Sequence, residues 1–530
     1  MSRTRRSPWS YGDPAGTRHR SAWLLVKLGV VLGPSPAFAW TLGSSTSVAW
    51  RKQSTSHAAA ESRATPAVAK GCVLGSAGLA AVAIGLVGRS FVRRQLQSVR
   101  RVSRVITTAV PEAAGEATTE PKPGEQKVTP WEVEAEDGID YDKLIKQFGC
   151  QPITQDLIER MERLTGKRAH RFLRRGLFFS HRDLKELLDA YEKGEPFYIY
   201  TGRGPSSESL HLGHLVPFLF TKWLQEAFDV PLVIELTDDE KFLFKQDLGY
   251  DEARRLAWEN AKDIIACGFD PAKTFIFRDT DYIGQLYPVA LQIQKRITLS
   301  QARNAFGFQG SDNIGKIAFC AIQSAPSFAQ AFPSFLQPGM RCFIPQAIDQ
   351  DPYFRMCRDV AQKQRWPKPA LIHSKFLPAL QGHQTKMSAS VASTALYMTD
   401  TEKKLRKKIN KHAFSGGGAT VEEHQKYGAK LDIDVAYQYL KIWLDDDEEL
   451  EQIGEEYAAG RMMTGEVKKR LGDVVAEIVK EHQEARAKVD DAMVERFFDP
   501  NRAELAGKWD GTAKKPSETS KAAEAESLPA

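Results

Sequence analysis

The chain predicts an α/β fold, a mostly parallel sheet with helices on both faces, followed by an α-helical region. Two observations predict it. Between residues 197 and 277, short aromatic and β-branched runs alternate with longer segments of helical periodicity, the pattern of a sheet covered on both sides. Beyond Ser390 the glycines thin out and helical periodicity takes over. With 530 residues, about two to four domains and a sizeable core are expected.

Phe197-Tyr198-Ile199-Tyr200-Thr201 reads as the first strand, ended by Gly202. Gly202 to Ser207 is a loop, and His211 to Phe228 has helical periodicity, with Leu215, Phe218, Leu219 and Trp223 on one face. Pro231 to Leu236 is a second strand, Asp251 to Cys267 a second amphipathic helix, and Thr274 to Phe277 a third strand. This order predicts a Rossmann-like sheet. In the C-terminal part, Thr399–His412, Leu431–Leu450 and Thr464–Phe498 read as helices. Asp445 to Glu449 reads as a solvated acidic cluster at a helix start, where the dipole favours it.

Charge divides the chain. Residues 1–110 hold 16 Lys and Arg but only Asp13 and Glu61 as acids, a net of +14, whereas the remainder is net −8. A nucleic-acid partner would therefore be held by local basic patches rather than by global charge. One such patch is the helix starting near Thr399, where Lys404, Lys407, Lys408 and Lys411 share a face at i, i+3, i+4 and i+7. A basic helical face suits phosphates, although a charged helix is more often simply solvated. Cys72, Cys150, Cys267, Cys320, Cys342 and Cys357 form no Cys-x-x-Cys pair, which points to inert thiols in a reducing compartment and to no zinc knuckle.

The first 110 residues read as an address. Arg3, Arg5, Arg6, Arg18 and Arg20 precede an apolar run, Trp23 to Gly33, and then Ala37-Phe38-Ala39. Residues 41–71 are rich in Ser, Thr, Ala and basic residues. Cys72 to Gly88 is uncharged and closed by arginines from Arg89 to Arg104. That run is short of the ~20 residues a membrane span needs. Residues 111–138 read as a disordered linker and residues 501–530 as a disordered polar tail.

Two motifs carry chemistry. His211-Leu212-Gly213-His214 falls at the opening of the helix after the first strand, where free N–H groups and a positive dipole end attract phosphate. Chance alone gives His-x-Gly-His in roughly 0.016 of chains of this composition. At that rate the pair could still be surface capping, so the second motif matters. Lys386-Met387-Ser388-Ala389-Ser390 follows 175 residues after His211. Gly382 gives this segment freedom to move, and the Lys386 ammonium with the Ser388 and Ser390 hydroxyls suits a phosphate-bearing ligand.

This pairing resembles the nucleotide-binding motifs of class I aminoacyl-tRNA synthetases. The longer strings resemble the eukaryotic and archaeal type of tryptophanyl-tRNA synthetase: Tyr200 to Glu208, Thr221 to Leu224, Thr237 to Lys241, Ala321-Ile322-Gln323, Ala347 to Arg355 and His412 to Gly417. The resemblance runs from about Gln151 to Phe498. It implies a Rossmann-like catalytic domain over 139–390, an α-helical anticodon-binding domain over 391–500, and a homodimer acting on L-tryptophan, ATP with Mg²⁺ and tRNA(Trp). It implies no structural metal.

Residue by residue, the resemblance implies ATP binding by Thr201, Gly202, Arg203, His211, Gly213, His214, Lys386, Met387, Ser388 and Ser390, with Lys386, His211, His214 and Ser388 catalytic. It implies tryptophan binding by Tyr200, Glu235, Glu240, Gln323 and Gln350, the first two at the indole nitrogen. In this context the face of Lys404, Lys407, Lys408 and Lys411 is expected to bind tRNA.

Animal members of the family carry Gln at the position of Glu235. A buried carboxylate there needs another donor or a raised pKa, and a solvent-facing or salt-bridged role stays open. Tyrosyl-tRNA synthetases share the architecture, but the longer strings disfavour them. Nucleotidyltransferases share the His-x-Gly-His turn without a basic helical domain. The N-terminal order of signal-like segment, Ser/Thr-rich stretch, apolar run and arginine cluster resembles the plastid presequences of algae with secondary plastids. A plastid location is therefore expected, with the cytoplasm as the alternative.

Overall fold

Seven strands form the central sheet: β1 (Gln151–Pro152), β2 (Phe178–Arg182), β3 (Phe197–Arg203), β4 (Leu232–Leu236), β5 (Thr274–Arg278), β6 (Arg341–Ala347) and β7 (Ala370–Ser374). The computed structural model describes residues 127–128, 133–134, 139–386 and 395–505, with backbone only at 127, 133–134 and 383–386. The strand order is β1-β2-β7-β6-β3-β4-β5. From β7 to β5 all neighbours are parallel, while β1–β2 and β2–β7 are antiparallel. The chain thus starts the parallel sheet in its middle, winds outward through β4 and β5, and returns to the other side of β3 with β6 and β7. The carboxyl ends of β3 and β6 flank the switch point where such sheets bind ligands.

Alternation along the strands separates two cores. Phe197, Ile199, Leu232, Ile234 and Leu236 face one side, where they pack with α1 (Arg171–Arg174), α2 (Leu212–Phe228) and α4 (Tyr250–Ala266). This apolar cluster continues without a break into α7 (Glu402–His412), α8 (Val435–Trp443), α9 (Asp447–Ala458), α10 (Thr464–Arg486) and α11 (Asp491–Phe498). Tyr198, Tyr200, Val233, Phe275 and Phe277 face the other side, against α5 (Asp279–Gln294) and α6 (Asp351–Gln364). That second core is rich in rings, with Phe275 5.1 Å from Tyr282 and 5.5 Å from Phe335 between centroids. The short α3 (Asp238–Phe244) follows β4 directly.

The three expected strands and both expected helices form within one or two residues of the expected ends. Four expectations are corrected. Leu431–Leu450 is two helices, because Asp446 turns its carboxylate onto the N–H groups of Glu448 and Glu449 and starts a new one. Thr464–Phe498 likewise breaks before Asp490, which caps α11 by accepting from Met493. Within the expected linker, Lys127–Val128 pairs antiparallel with Val133–Glu134. Within the expected tail, Leu505 is fully buried, and the Arg502 guanidinium donates to the carbonyls of Pro271, Thr274 and Phe497. The expected presequence, residues 1–110, lies outside the described residues, Cys72–Gly88 with it. Among the described residues no helix is long and apolar enough to cross a membrane.

The Asp445–Glu449 cluster is also more than solvated. Asp445 pairs with Arg171, and Asp447 pairs with Arg168, Arg174 and Arg175. Arg175 further donates to the carbonyls of Lys441 and Leu444, so α1 is clasped to the α8–α9 junction.

Candidate active site

A cavity of about 370 Å³ opens at the carboxyl ends of β3 and β6. Tyr200, Thr201, Gly202, Arg203, His211, Gly213, His214, Glu240, Gln323 and Gln350 all line it. Residues expected to act together, from five separate chain segments, are therefore brought to one cavity. Lys386 ends the short strand Gly382–Lys386; its side chain, Met387, Ser388 and Ser390 lie outside the described residues.

The histidine turn is tightly built. His211 is the N-cap of α2 in an extended conformation, and its backbone N–H donates to Nδ1 of His214 at 3.3 Å. The two rings stack with centroids 3.4 Å apart. Gly213, expected among the ATP-binding residues, lies inside this turn. In the structure its close neighbour is the His211 ring, 3.1 Å from where a Cβ would stand. The turn is also sewn to the chain just beyond the lysine motif. Leu212 donates to the Leu396 carbonyl and Met398 donates to the Leu210 carbonyl, both at 2.9 Å. The far end of the lysine segment is thus fixed on the histidine turn, although the motifs are far apart in sequence.

Electrostatics suit an anionic ligand on this side. Nε and Nη2 of Arg203 are buried with no hydrogen-bond partner, and Nδ1 of His211 is likewise unpartnered. Burial pulls Arg203 down to about 10, so it stays cationic at neutral pH. Burial, with Arg203 beside it, holds His211 at about 3, so the ring is neutral. An orphaned buried guanidinium is costly unless a ligand completes it, and phosphate oxygens would do so.

The amino-acid side is assembled differently. Glu240 is braced by the Thr237 hydroxyl at 2.8 Å and the Lys241 ammonium at 2.7 Å. The pair lies against Gly204, where a Cβ would press on the ends of both side chains. Tyr200 is 1% exposed, and its hydroxyl donates to Oε2 of Glu235 at 2.5 Å, with the Gln323 carbonyl at 3.0 Å. Glu235 itself does not line the cavity. It is fully buried behind Tyr200, so the solvent-facing alternative is excluded.

The basic face is corrected at one position. Lys404, Lys407 and Lys411 are exposed, but Lys408 is 7% exposed, with its ammonium on Asp400 at 2.6 Å and the Ala395 carbonyl at 2.7 Å. Lys408 anchors α7 and presents no charge to an outside partner.

Two cavity residues escaped the sequence reading. Both amide atoms of Gln346 are buried and unpartnered in the cavity wall. Lys375 lies over the rings of Tyr141 and Phe179 at 5.3 and 5.9 Å. Each sits at or just after the carboxyl end of a parallel strand, and that position was the available signal. One other cluster has ligand-like proximity: Cys150, Asp351 and His373 offer atoms within 4.8 Å of one another. Arg182, however, occupies both Asp351 oxygens at 2.7 and 2.8 Å. Burial pushes the thiols of Cys150, Cys320 and Cys357 up to about 12, which keeps them protonated and unreactive.

The sequence profile of the family described as tRNA synthetases class I (W and Y) matches residues 192–320 and 338–480. The chain is 58% identical over 385 residues to the cytoplasmic tryptophan–tRNA ligase of Arabidopsis thaliana, covering 72% of this chain and 95% of the relative. It is 56% identical over 385 residues to that of Homo sapiens, covering 71% and 82%. Among solved structures, tryptophanyl-tRNA synthetase from Plasmodium falciparum superposes with a TM-score of 0.66 at 52% identity, covering 69% of this chain and 97% of that one.

Proposed function

We infer the function from a premise that these likenesses establish: the chain belongs to the class I tRNA synthetases for tryptophan and tyrosine. It is a tryptophan–tRNA ligase, activating tryptophan to an adenylate and transferring it to tRNA. The observation that carries this reading is the cavity at the sheet's switch point, which gathers the unpartnered Nε and Nη2 of Arg203, the histidine turn and Tyr200.

The chemistry follows from these groups. The tryptophan carboxylate attacks the α-phosphorus of ATP in line, the bond to the β-phosphate bridging oxygen breaks, and pyrophosphate leaves. Mg²⁺ accompanies ATP and neutralises phosphate charge. No side chain acts as nucleophile, so positioning and charge stabilisation supply the catalysis. Arg203 and His211 meet the phosphates, Lys386 stabilises the departing pyrophosphate, and Glu240, Gln323 and Gln350 hold the amino and carboxylate groups. Exposed Lys404, Lys407 and Lys411 meet tRNA phosphates. The enzyme acts as a homodimer, a reading supported by Tyr287 and Leu291, half-exposed one turn apart on α5, with Leu299 close by in sequence.

Charging of tRNA(Trp) with tryptophan, read as aminoacylated 3′ ends, tests the activity; no charged product contradicts it. The Arg-rich, acid-poor first 110 residues support a plastid location. A fluorescent protein fused behind them is expected in plastids, and a diffuse cytosolic signal would overturn the location alone.

A further inference from the structure

Behind Tyr200 lies a set of carboxyls that the reaction itself does not use. In the sheet register Glu235 stands between Gly202 on β3 and Phe277 on β5. Gly202 contributes no side chain; a Cβ there would lie 3.4 Å from Glu235 Oε2. Asp279 is two residues beyond Phe277, on the same face, at the start of α5. Register and alternation therefore bring Glu235 and Asp279 together, both at 0% exposure.

Glu235 Oε1 and both oxygens of Asp279 have no donor among the described residues, yet the two carboxyls stand within hydrogen-bonding reach of each other. Asp239 lies beside Asp279 and adds negative charge there. Two buried carboxylates in contact cannot both be ionised, and a proton between them removes the repulsion and satisfies the facing oxygens. The other charged and phenolic groups nearby favour this state. Asp238 and Glu240 add negative charge, and burial raises the Tyr200 and Tyr353 phenols, keeping them neutral. Burial and these acids hold both Glu235 and Asp279 well above the usual carboxylate range.

The consequence falls on Tyr200. Both atoms around its hydroxyl, Glu235 Oε2 and the Gln323 carbonyl, are acceptors. Its one proton therefore points away from the cavity, and its lone pair faces the ligand.

We propose that Asp279 is a positioning residue for amino-acid selection: it shares a proton with Glu235, so that Oε2 stays an acceptor, Tyr200 donates into it, and the cavity presents the Tyr200 lone pair to a ring N–H. This rests on the tryptophan reading above and deepens it. Without Asp279, Glu235 takes the proton itself and can donate to the Tyr200 oxygen. The phenol then turns its own proton toward the cavity, where it meets the indole donor head-on.

Asp279→Leu fills the space without a proton to share, and Asp279→Asn restores a donor to Glu235. Activation of tryptophan and of β-(3-benzothienyl)alanine, which has sulfur where indole has N–H, is compared by ATP–pyrophosphate exchange in wild type and both variants. In Asp279→Leu the ratio of kcat/KM for tryptophan over the analogue is expected to fall tenfold or more, through the KM for tryptophan with kcat little changed. Asp279→Asn is expected to keep the ratio within about threefold. Equal losses on both substrates in Asp279→Leu, or an unchanged ratio, would overturn the proposal and leave the activity standing. If Asp279→Leu does not fold, the Asn variant decides: a tenfold fall in its ratio overturns the proposal. A wild-type protein that activates no tryptophan would overturn the activity itself.

Discussion

On one face of the sheet, Phe197, Ile199, Leu232 and Ile234 join an apolar core that runs into the helical region; on the other, Tyr198 and Tyr200 share their layer with Glu235 and Asp279. The first face meets the helical region through a buried polar contact. Asp263 on α4 accepts the Leu210 N–H at 3.0 Å with one oxygen, and meets His482 at 3.2 Å and Arg486 at 3.0 Å with the other. Leu210 leads directly into the histidine turn, so α10 ends on the nucleotide side of the site. Among the described residues, the second face takes only Leu505 of the C-terminal segment into its core, and its polar centre is the pair of buried acids. On the proposed function, the nucleotide side is braced by α10, while the amino-acid side is backed by buried carboxyls.

Substitutions should separate the two faces. Lys386→Ala should lower adenylate formation by at least ~10² while tryptophan affinity, read by equilibrium binding, is nearly unchanged. Loss of tryptophan binding with normal turnover would break the separation. Glu235→Leu should do the converse, weakening tryptophan binding by roughly 5- to 150-fold by removing the nearer of the two acceptors that orient Tyr200, at ~1–3 kcal/mol. Glu235→Gln should keep most activity, since its amide can accept from Tyr200 and donate to Asp279.

The next effect is on stability. Asp447→Ala strips Arg174 and Arg175 of a shared carboxylate and should cost about 1–3 kcal/mol, read from the denaturant midpoint. An unchanged midpoint would mean that the apolar contacts alone join α1 to the helical region. The smallest effect concerns pH. The Glu235 carboxyl is held above its ordinary 4.5, so its contribution to stability is full below that value and is lost as pH rises toward its folded value. Glu235→Gln should therefore raise Tm relative to wild type by more at pH 8 than at pH 5, by about 1–3 °C. A larger gain at pH 5 would mean that the carboxyl is ionised in the folded protein.

The legible parts of the sequence were those set by local pattern. The alternation over Phe197–Thr201 and Leu232–Leu236, and the Leu215/Phe218 periodicity of α2, predicted elements that form. Cavity residues that lie in strings, such as Tyr200 to Arg203 and His211 to His214, were legible by resemblance. What register or distant partners decide was not. β6 contains Pro345 and Gln346 and lacks a clean alternation, so neither the strand nor its cavity amide stood out. Lys407 and Lys408 belong to the same expected basic face, and Asp400 turns Lys408 inward. Glu235 could have faced solvent; only its place between Gly202 and Phe277 sets it behind Tyr200 and against Asp279.

The central claim is that the acid-backed face reads a ring N–H, and ATP–pyrophosphate exchange with tryptophan, tyrosine and phenylalanine tests it most directly. The account predicts exchange with tryptophan and at least ~10⁴-fold lower kcat/KM with phenylalanine, which leaves the Tyr200 acceptor unpaired. Exchange with phenylalanine or tyrosine within tenfold of tryptophan would contradict it.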